Sequence, residues 1–91
     1  MLQPNLTASA MWTEKDNHLT RSFKFRDFKE AFAFMTEVAV VAEEINHHPW
    51  WSNSYNKVEI RLTTHDAGHT VTNRDHVLAQ RISVLAERYG V

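Results

Sequence analysis

The chain is expected to be an α+β protein, a two-layer ββαββα sandwich in which both helices pack on one face of a four-stranded antiparallel sheet. Three observations predict this. Val58, Ile60 and Leu62 alternate with Lys57, Glu59 and Arg61, the period of a half-buried strand. Phe28, Ala31, Phe32, Met35, Val38, Ala39, Ala42 and Ile45 recur at helical spacing behind Asp27. Leu78, Ile82, Leu85 and Tyr89 do the same behind Thr72, so two amphipathic helices are interleaved with strands.

Taken in order, Pro4 marks a short leader, and residues 10–15 and 18–25 form a hairpin that turns at Asp16-Asn17. Leu19, Phe23 and Phe25 fall at odd positions between Thr20, Ser22 and Lys24, which gives the second strand one apolar side. Asp27 followed by Glu30 resembles a capping box and opens a helix over 27–46. Its aromatic stripe is expected to face the core. Phe34, Val40 and Val41 lie off that stripe and predict a second apolar side, turned toward another helix or subunit. Pro49 disfavours helical geometry at His48, so the helix ends near Asn46-His47. Tyr55 to His65 is the clearest strand. After a loop at Asp66-Ala67-Gly68, His69-Thr70-Val71 is expected to be the fourth strand, Thr72 caps the last helix, and Gly90 stops it.

The 91 residues, 43% hydrophobic and 23% charged, suit one folded domain spanning 1–91 and are too few for two cores. Ten Lys and Arg against eleven Asp and Glu leave a formal charge of −1, without the positive excess that direct nucleic-acid binding needs. The absence of cysteine excludes disulfides, thiolate metal sites and a cysteine nucleophile. Two glycines, Gly68 and Gly90, cannot build a phosphate-cradling loop or a dinucleotide fingerprint. The longest apolar run, Val38 to Ala42, is far too short to span a bilayer. No membrane association and a cytoplasmic location are therefore the expectation.

Titratable side chains gather in three places. Glu43, Asn46, His47 and His48 cluster at the end of the first helix; Thr63, Thr64, His65 and Asp66 follow the clearest strand; Asp75 lies in the first turn of the last helix. Glu43 and His47, four residues apart, are spaced to face each other. Two imidazoles, with ordinary pKa values of about 6.5, can divide acid and base roles near neutrality, and a carboxylate can orient one of them. Each feature also has a plainer reading. An adjacent His-His pair suits a solvated turn, His18, His69 and His76 suit the surface, and Asp75 suits a helix N-terminus for its dipole alone. Trp50 and Trp51 either close the core edge or offer a flat ring surface to a ligand. A metal site from His47, His48, His65 and His69 with Glu43 or Asp66 is the rival that spacing offers. No H-E-x-x-H pair supports it, and adjacent histidines rarely ligate one ion together.

Together, Glu43-x-x-x-His47-His48-Pro49-x-Trp51, Tyr55-Asn56-Lys57-Val58, Thr64-His65 and Arg74-Asp75 resemble the signature of the pterin-4a-carbinolamine dehydratases. The likeness extends through Phe23-Lys24-Phe25-x-Asp27-Phe28 and Ala31-Phe32-x-Phe34-Met35 to Ile82. Asn46 stands where vertebrate members carry Asp, and the loop from His65 to Asp75 is one residue longer than theirs. The resemblance implies dehydration of 4a-hydroxytetrahydropterin to quinonoid dihydropterin, in recycling of tetrahydrobiopterin, without an external cofactor or a metal. It implies His47 and His65 as the acid/base pair, assisted by Glu43 and Asp75. The pterin would be bound by Asn46, His47, His48, Trp51, Thr63, Thr64, His65 and Asp66. A homodimer or homotetramer coupled to an aromatic amino-acid hydroxylase is the implied setting. The alternative is a non-catalytic protein-binding module, a dimerisation cofactor for a partner protein.

Overall fold

The computed structural model describes residues 11–91, so the leader at Pro4 and the first residue of the expected strand 10–15 lie outside the described part. The elements are β1 (Thr13–Lys15), β2 (His18–Lys24), α1 (Phe28–Glu44), β3 (Trp50–Ser54), β4 (Lys57–Leu62), a single 3-10 turn (His65–Ala67) and α2 (Asn73–Glu87). The strands form one antiparallel sheet in the order β1-β2-β4-β3, and the α+β class with a four-stranded sheet and two helices stands as expected.

The fourth strand is not where the sequence pattern put it. His69-Thr70-Val71 contributes only an isolated bridge, Thr64 opposite Thr70. The strand is instead Trp50–Ser54, which pairs Trp51 with Ile60 and Asn53 with Val58 across a two-residue turn at Tyr55-Asn56. Tyr55 enters that turn at φ 51°, a left-handed conformation that a two-residue hairpin requires at its first position. Strand 55–65 shortens accordingly to Lys57–Leu62. The first hairpin turns at Asp16 and Asn17, both left-handed at φ 51° and 65°, as Asp and Asn tolerate.

Both helix starts follow the expected capping. Asp27 accepts a hydrogen bond from the Glu30 N–H at 2.9 Å, while Glu30 reaches back to the Arg26 N–H at 3.1 Å. At α2, Thr72 and Asp75 form a reciprocal capping box. Gly90, at φ 79°, ends the chain's last turn, with the Val91 N–H returning to the Ala86 carbonyl at 3.2 Å.

The core lies between the helices and one sheet face. Leu19, Phe23, Val58, Ile60 and Leu62 from the sheet meet Phe34 and Val38 of α1 and Leu78, Ala79 and Ile82 of α2, all buried. Helix α1 is rotated about its axis from the expected phase. Phe34 is fully buried and Val41 nearly so, whereas Phe28 and Phe32 are 46% and 56% exposed and stack on each other at 5.7 Å between ring centroids. The reason is packing. Phe34 wedges between Phe23 and Phe25, at 5.0 and 4.8 Å, a site no residue of the Phe28 stripe can reach at the same time. Among the described residues, no helix is long and apolar enough to cross a membrane.

Candidate active site

Three chain segments meet at one edge of the sandwich. The first is the end of α1. Its last carbonyls are closed by the Asn46 N–H to Glu43 O at 3.3 Å and the His47 N–H to Ala42 O at 3.0 Å, the paired bonds of a Schellman motif. The motif needs a left-handed residue between helix and exit, and Asn46 supplies it at φ 52°. The turn folds His47 back beneath the helix end, where it is 6% exposed, and Pro49 carries the chain away into β3.

The second segment continues β4 through Thr63 and Thr64 to His65. Thr63 donates to the Asn17 carbonyl at 2.8 Å, anchoring the segment on the first hairpin turn. The third is the start of α2, where Asp75 is completely buried. Asp75 Oδ1 lies 2.6 Å from His47 Nε2. Oδ2 accepts from the Thr64 hydroxyl at 2.7 Å and from the Thr72 N–H at 2.8 Å. Burial alone pushes the Asp75 carboxyl up, but the hydrogen bonds from His47, Thr72 and Thr64 outweigh it and hold the group below the usual carboxylate range. An ionised Asp75 only accepts, so the proton of this bond sits on His47 Nε2. Nδ1 is then the nitrogen of His47 whose protonation can change.

The segments enclose a cleft of about 400 Å³, lined by Asn46, His47, His48, Pro49, Trp50, Thr63, Thr64, His65, Asp66 and Arg74. It is smaller than a groove of about 750 Å³ on the outer sheet face around Lys15, Thr20, Lys24 and Arg61. Size does not decide function, because only the smaller cleft gathers convergent imidazoles backed by a buried carboxylate.

Most of the expected site residues converge there, with two differences. Glu43 does not face His47. Its carboxylate lies 2.6 Å from His48 Nε2 in a largely exposed pair, because the left-handed turn at Asn46 sends His47 inward and leaves His48 beside the helix. Trp51 points with Ile60 to the core side of the sheet and packs against the core, while its neighbour Trp50 lines the cleft. Asp75 touches His47 from behind, as support for the ring. Sequence reasoning quoted Arg74 only within the family signature and Thr72 only as a helix cap, and gave neither a place in the site. Arg74 donates to the Asn46 carbonyl at 2.8 Å and so joins α2 to the turn after α1. Thr72 and Thr64 share a 2.7 Å hydroxyl contact beside Asp75. Among the described residues, no group of three or more His, Asp or Glu is arranged to hold a metal ion.

Comparison with known proteins identifies the family. The family profile described as pterin 4 alpha carbinolamine dehydratase matches residues 1–85. A protein of Rhodopseudomonas palustris (strain HaA2) named for the same family is 50% identical over 91 residues, covering 98% of this chain and 89% of its own. Among solved structures, a transcriptional coactivator/pterin dehydratase from Brucella melitensis superposes with a TM-score of 0.83 at 42% identity, over 90% of this chain and 88% of that one. A pterin dehydratase-like protein described as a RuBisCO assembly factor in the alpha-carboxysome has a TM-score of 0.67 at 25% identity, covering 82% and 86% of the two chains. With a profile match over most of its length and a relative half identical across nearly all of it, the chain belongs to the pterin-4a-carbinolamine dehydratase family.

Proposed function

We propose that the protein dehydrates 4a-hydroxytetrahydropterins, with His47 and His65 as the acid/base pair. The observation that carries the reading is the buried His47–Asp75 contact at 2.6 Å, opening on the same cleft as His65. The reaction breaks the C4a–O bond and the N5–H bond and forms a C4a=N5 double bond. One ring receives the N5 proton while the other delivers a proton to the departing oxygen, so water leaves and no redox partner is required. Asp75, bonded to Nε2 of His47, fixes which nitrogen of that ring faces the cleft. His48, steadied by Glu43, and Trp50 hold the flat ring, and Thr63, Asn46 and Asp66 shape the walls.

The test is stopped-flow generation of the carbinolamine with the parent, His47→Ala and His65→Ala proteins. Each substitution is expected to lower kcat by on the order of 10²-fold or more over the buffer reaction. Their combination should cost less than the product of the single losses, because both rings serve one proton balance. Near-parental kcat in both folded single variants defeats the acid/base pair.

A second reading, a binding module for another protein, draws on Phe28, Phe32 and Val40, which leave α1 with an exposed apolar strip. We assign that strip first to self-association as a dimer or tetramer, since a domain this small gains stability by covering it. Light scattering of the parent and of Phe32→Asp decides. An oligomer that the substitution dissociates supports the assignment, and a stable parental monomer at micromolar concentration overturns it.

A further inference from the structure

The loop between the 3-10 turn and α2 holds a histidine that the mechanism leaves unused. His69 stands at φ 59° directly after Gly68 at φ 82°, so two successive residues are left-handed and only one is a glycine. A residue with a Cβ holds that conformation at a cost, and such strain is kept where the surroundings enforce it. Here they do. The His69 N–H donates to the Thr64 carbonyl at 3.1 Å, the Gly68 N–H to the His65 carbonyl at 3.0 Å, and the Thr64 N–H to the Thr70 carbonyl at 3.0 Å. This tight return brings position 69 back over position 65. His69 Nε2 lies 3.3 Å from His65 Nδ1, with ring centroids 4.5 Å apart and planes at 88°.

We propose that His69 is a positioning residue for His65, fixing its tautomer and thereby the protonation of Nε2, the nitrogen left for the cleft. The proposal rests on the acid/base reading of His65. Two neutral imidazoles share one hydrogen across this contact. When His69 Nε2 donates, His65 carries its own proton on Nε2 and presents a hydrogen-bond donor to the cleft. When His65 Nδ1 donates, its Nε2 holds a lone pair and offers a base. The contact needs one of the two facing nitrogens to be without a hydrogen. The other charged or titratable groups lining this cleft are Asp66 on the same turn, Arg74 from α2, and His47 and His48 beyond α1.

The left-handed backbone supplies a clean variant. His69→Gly removes the ring but suits the conformation, so the loop is expected to fold at least as stably by thermal unfolding. His69→Gln keeps a hydrogen-bonding group at the same reach. Long-range ¹H–¹⁵N spectra of the full chain read the His65 tautomer and titration directly. The expected result is one dominant His65 tautomer in the parent. The Gly variant should show mixed tautomers, and the Gln variant the parental tautomer. In the dehydration assay, kcat of the Gly variant should fall roughly tenfold with little change in KM, a shifted pH profile, and recovery in the Gln variant. An unchanged His65 tautomer in the Gly variant overturns the proposal whatever the activity, and so does a changed tautomer with unaltered kcat and pH profile. If the parent itself has no dehydratase activity while the tautomer responds, the contact stands and the acid/base reading is what fails.

Discussion

His47 and His65 stand on opposite walls of one cleft and are held in different ways. His47 is buried under the end of α1, its Nε2 bonded to a carboxylate that is itself out of solvent. His65 rides a three-residue turn, exposed, against the ring of another exposed histidine. The first ring is oriented by the core and cannot be disturbed without disturbing the fold. The second is oriented by a local loop and can be changed almost independently of it. Preorganised charge on one side and an adjustable ring on the other suit a reaction that moves two protons in one turnover.

The sharpest way to break the buried side is Asp75→Ala. It strands His47, Thr64 and the Thr72 N–H together and removes a cap, so a loss of about 3–5 kcal/mol is expected. Against a total of about 5–15 kcal/mol for a small domain, that leaves a marginal protein, as urea titration will show. The pH dependence follows from the same contacts. Because the folded Asp75 pKa is depressed, its contribution is fully present above the unfolded value of about 4 and disappears as pH falls through the lower folded value. Asp75→Asn is expected to flatten that acid limb in thermal melts across pH.

Next in size is the stability contrast between the two rings. His47→Ala orphans a buried carboxylate oxygen and should destabilise by about 1–3 kcal/mol. His65→Ala, at an exposed position, should stay within about 0.5 kcal/mol. Equal losses in paired thermal melts would show that the walls are not held differently. The smallest effects belong to the exposed pair at the α1 end. His48→Ala should raise KM with a lesser change in kcat. Glu43→Gln should alter KM less and stability by under about 1 kcal/mol, since the Glu43–His48 pair is largely solvated. Steady-state kinetics on the two variants checks the order.

Much of the fold is legible in the sequence. The caps at Asp27 and Thr72, the turn at Asp16-Asn17 and the alternation in β4 are local signals, and they were read correctly. Three failures have physical causes. Trp50-Trp51-Ser52-Asn53-Ser54 lacks the β-branched alternation that marks β4, so its pairing depends on β4 and is invisible locally. Alanines distributed around α1 let two different stripes fit helical spacing, and only the pocket between Phe23 and Phe25 selects Phe34. Glu43 and His47 have the right spacing for an i,i+4 pair, but the pairing rule holds only while the helix continues, and Asn46 ends it. For the site, sequence reasoning brought the right segments together but misjudged which neighbours touch. His47 with Asp75, 28 residues apart, is a tertiary contact with no local signature.

The strand order carries a consequence for how the cleft comes into being. The β1-β2 and β3-β4 hairpins close across adjacent residues, but β2 meets β4, with Leu19 opposite Leu62, only after α1 and β3 have been threaded between them. Such distant closure is entropically expensive and comes late in folding. The β3-β4 hairpin alone sets Trp50 and the turn after α1 beside Thr63, Thr64 and His65, but Asp75 and Arg74 reach His47 and Asn46 only once α2 has docked on the closed sheet. A chain emerging during synthesis therefore gains the support of His47 last, and ligand binding becomes a direct report that α2 has docked.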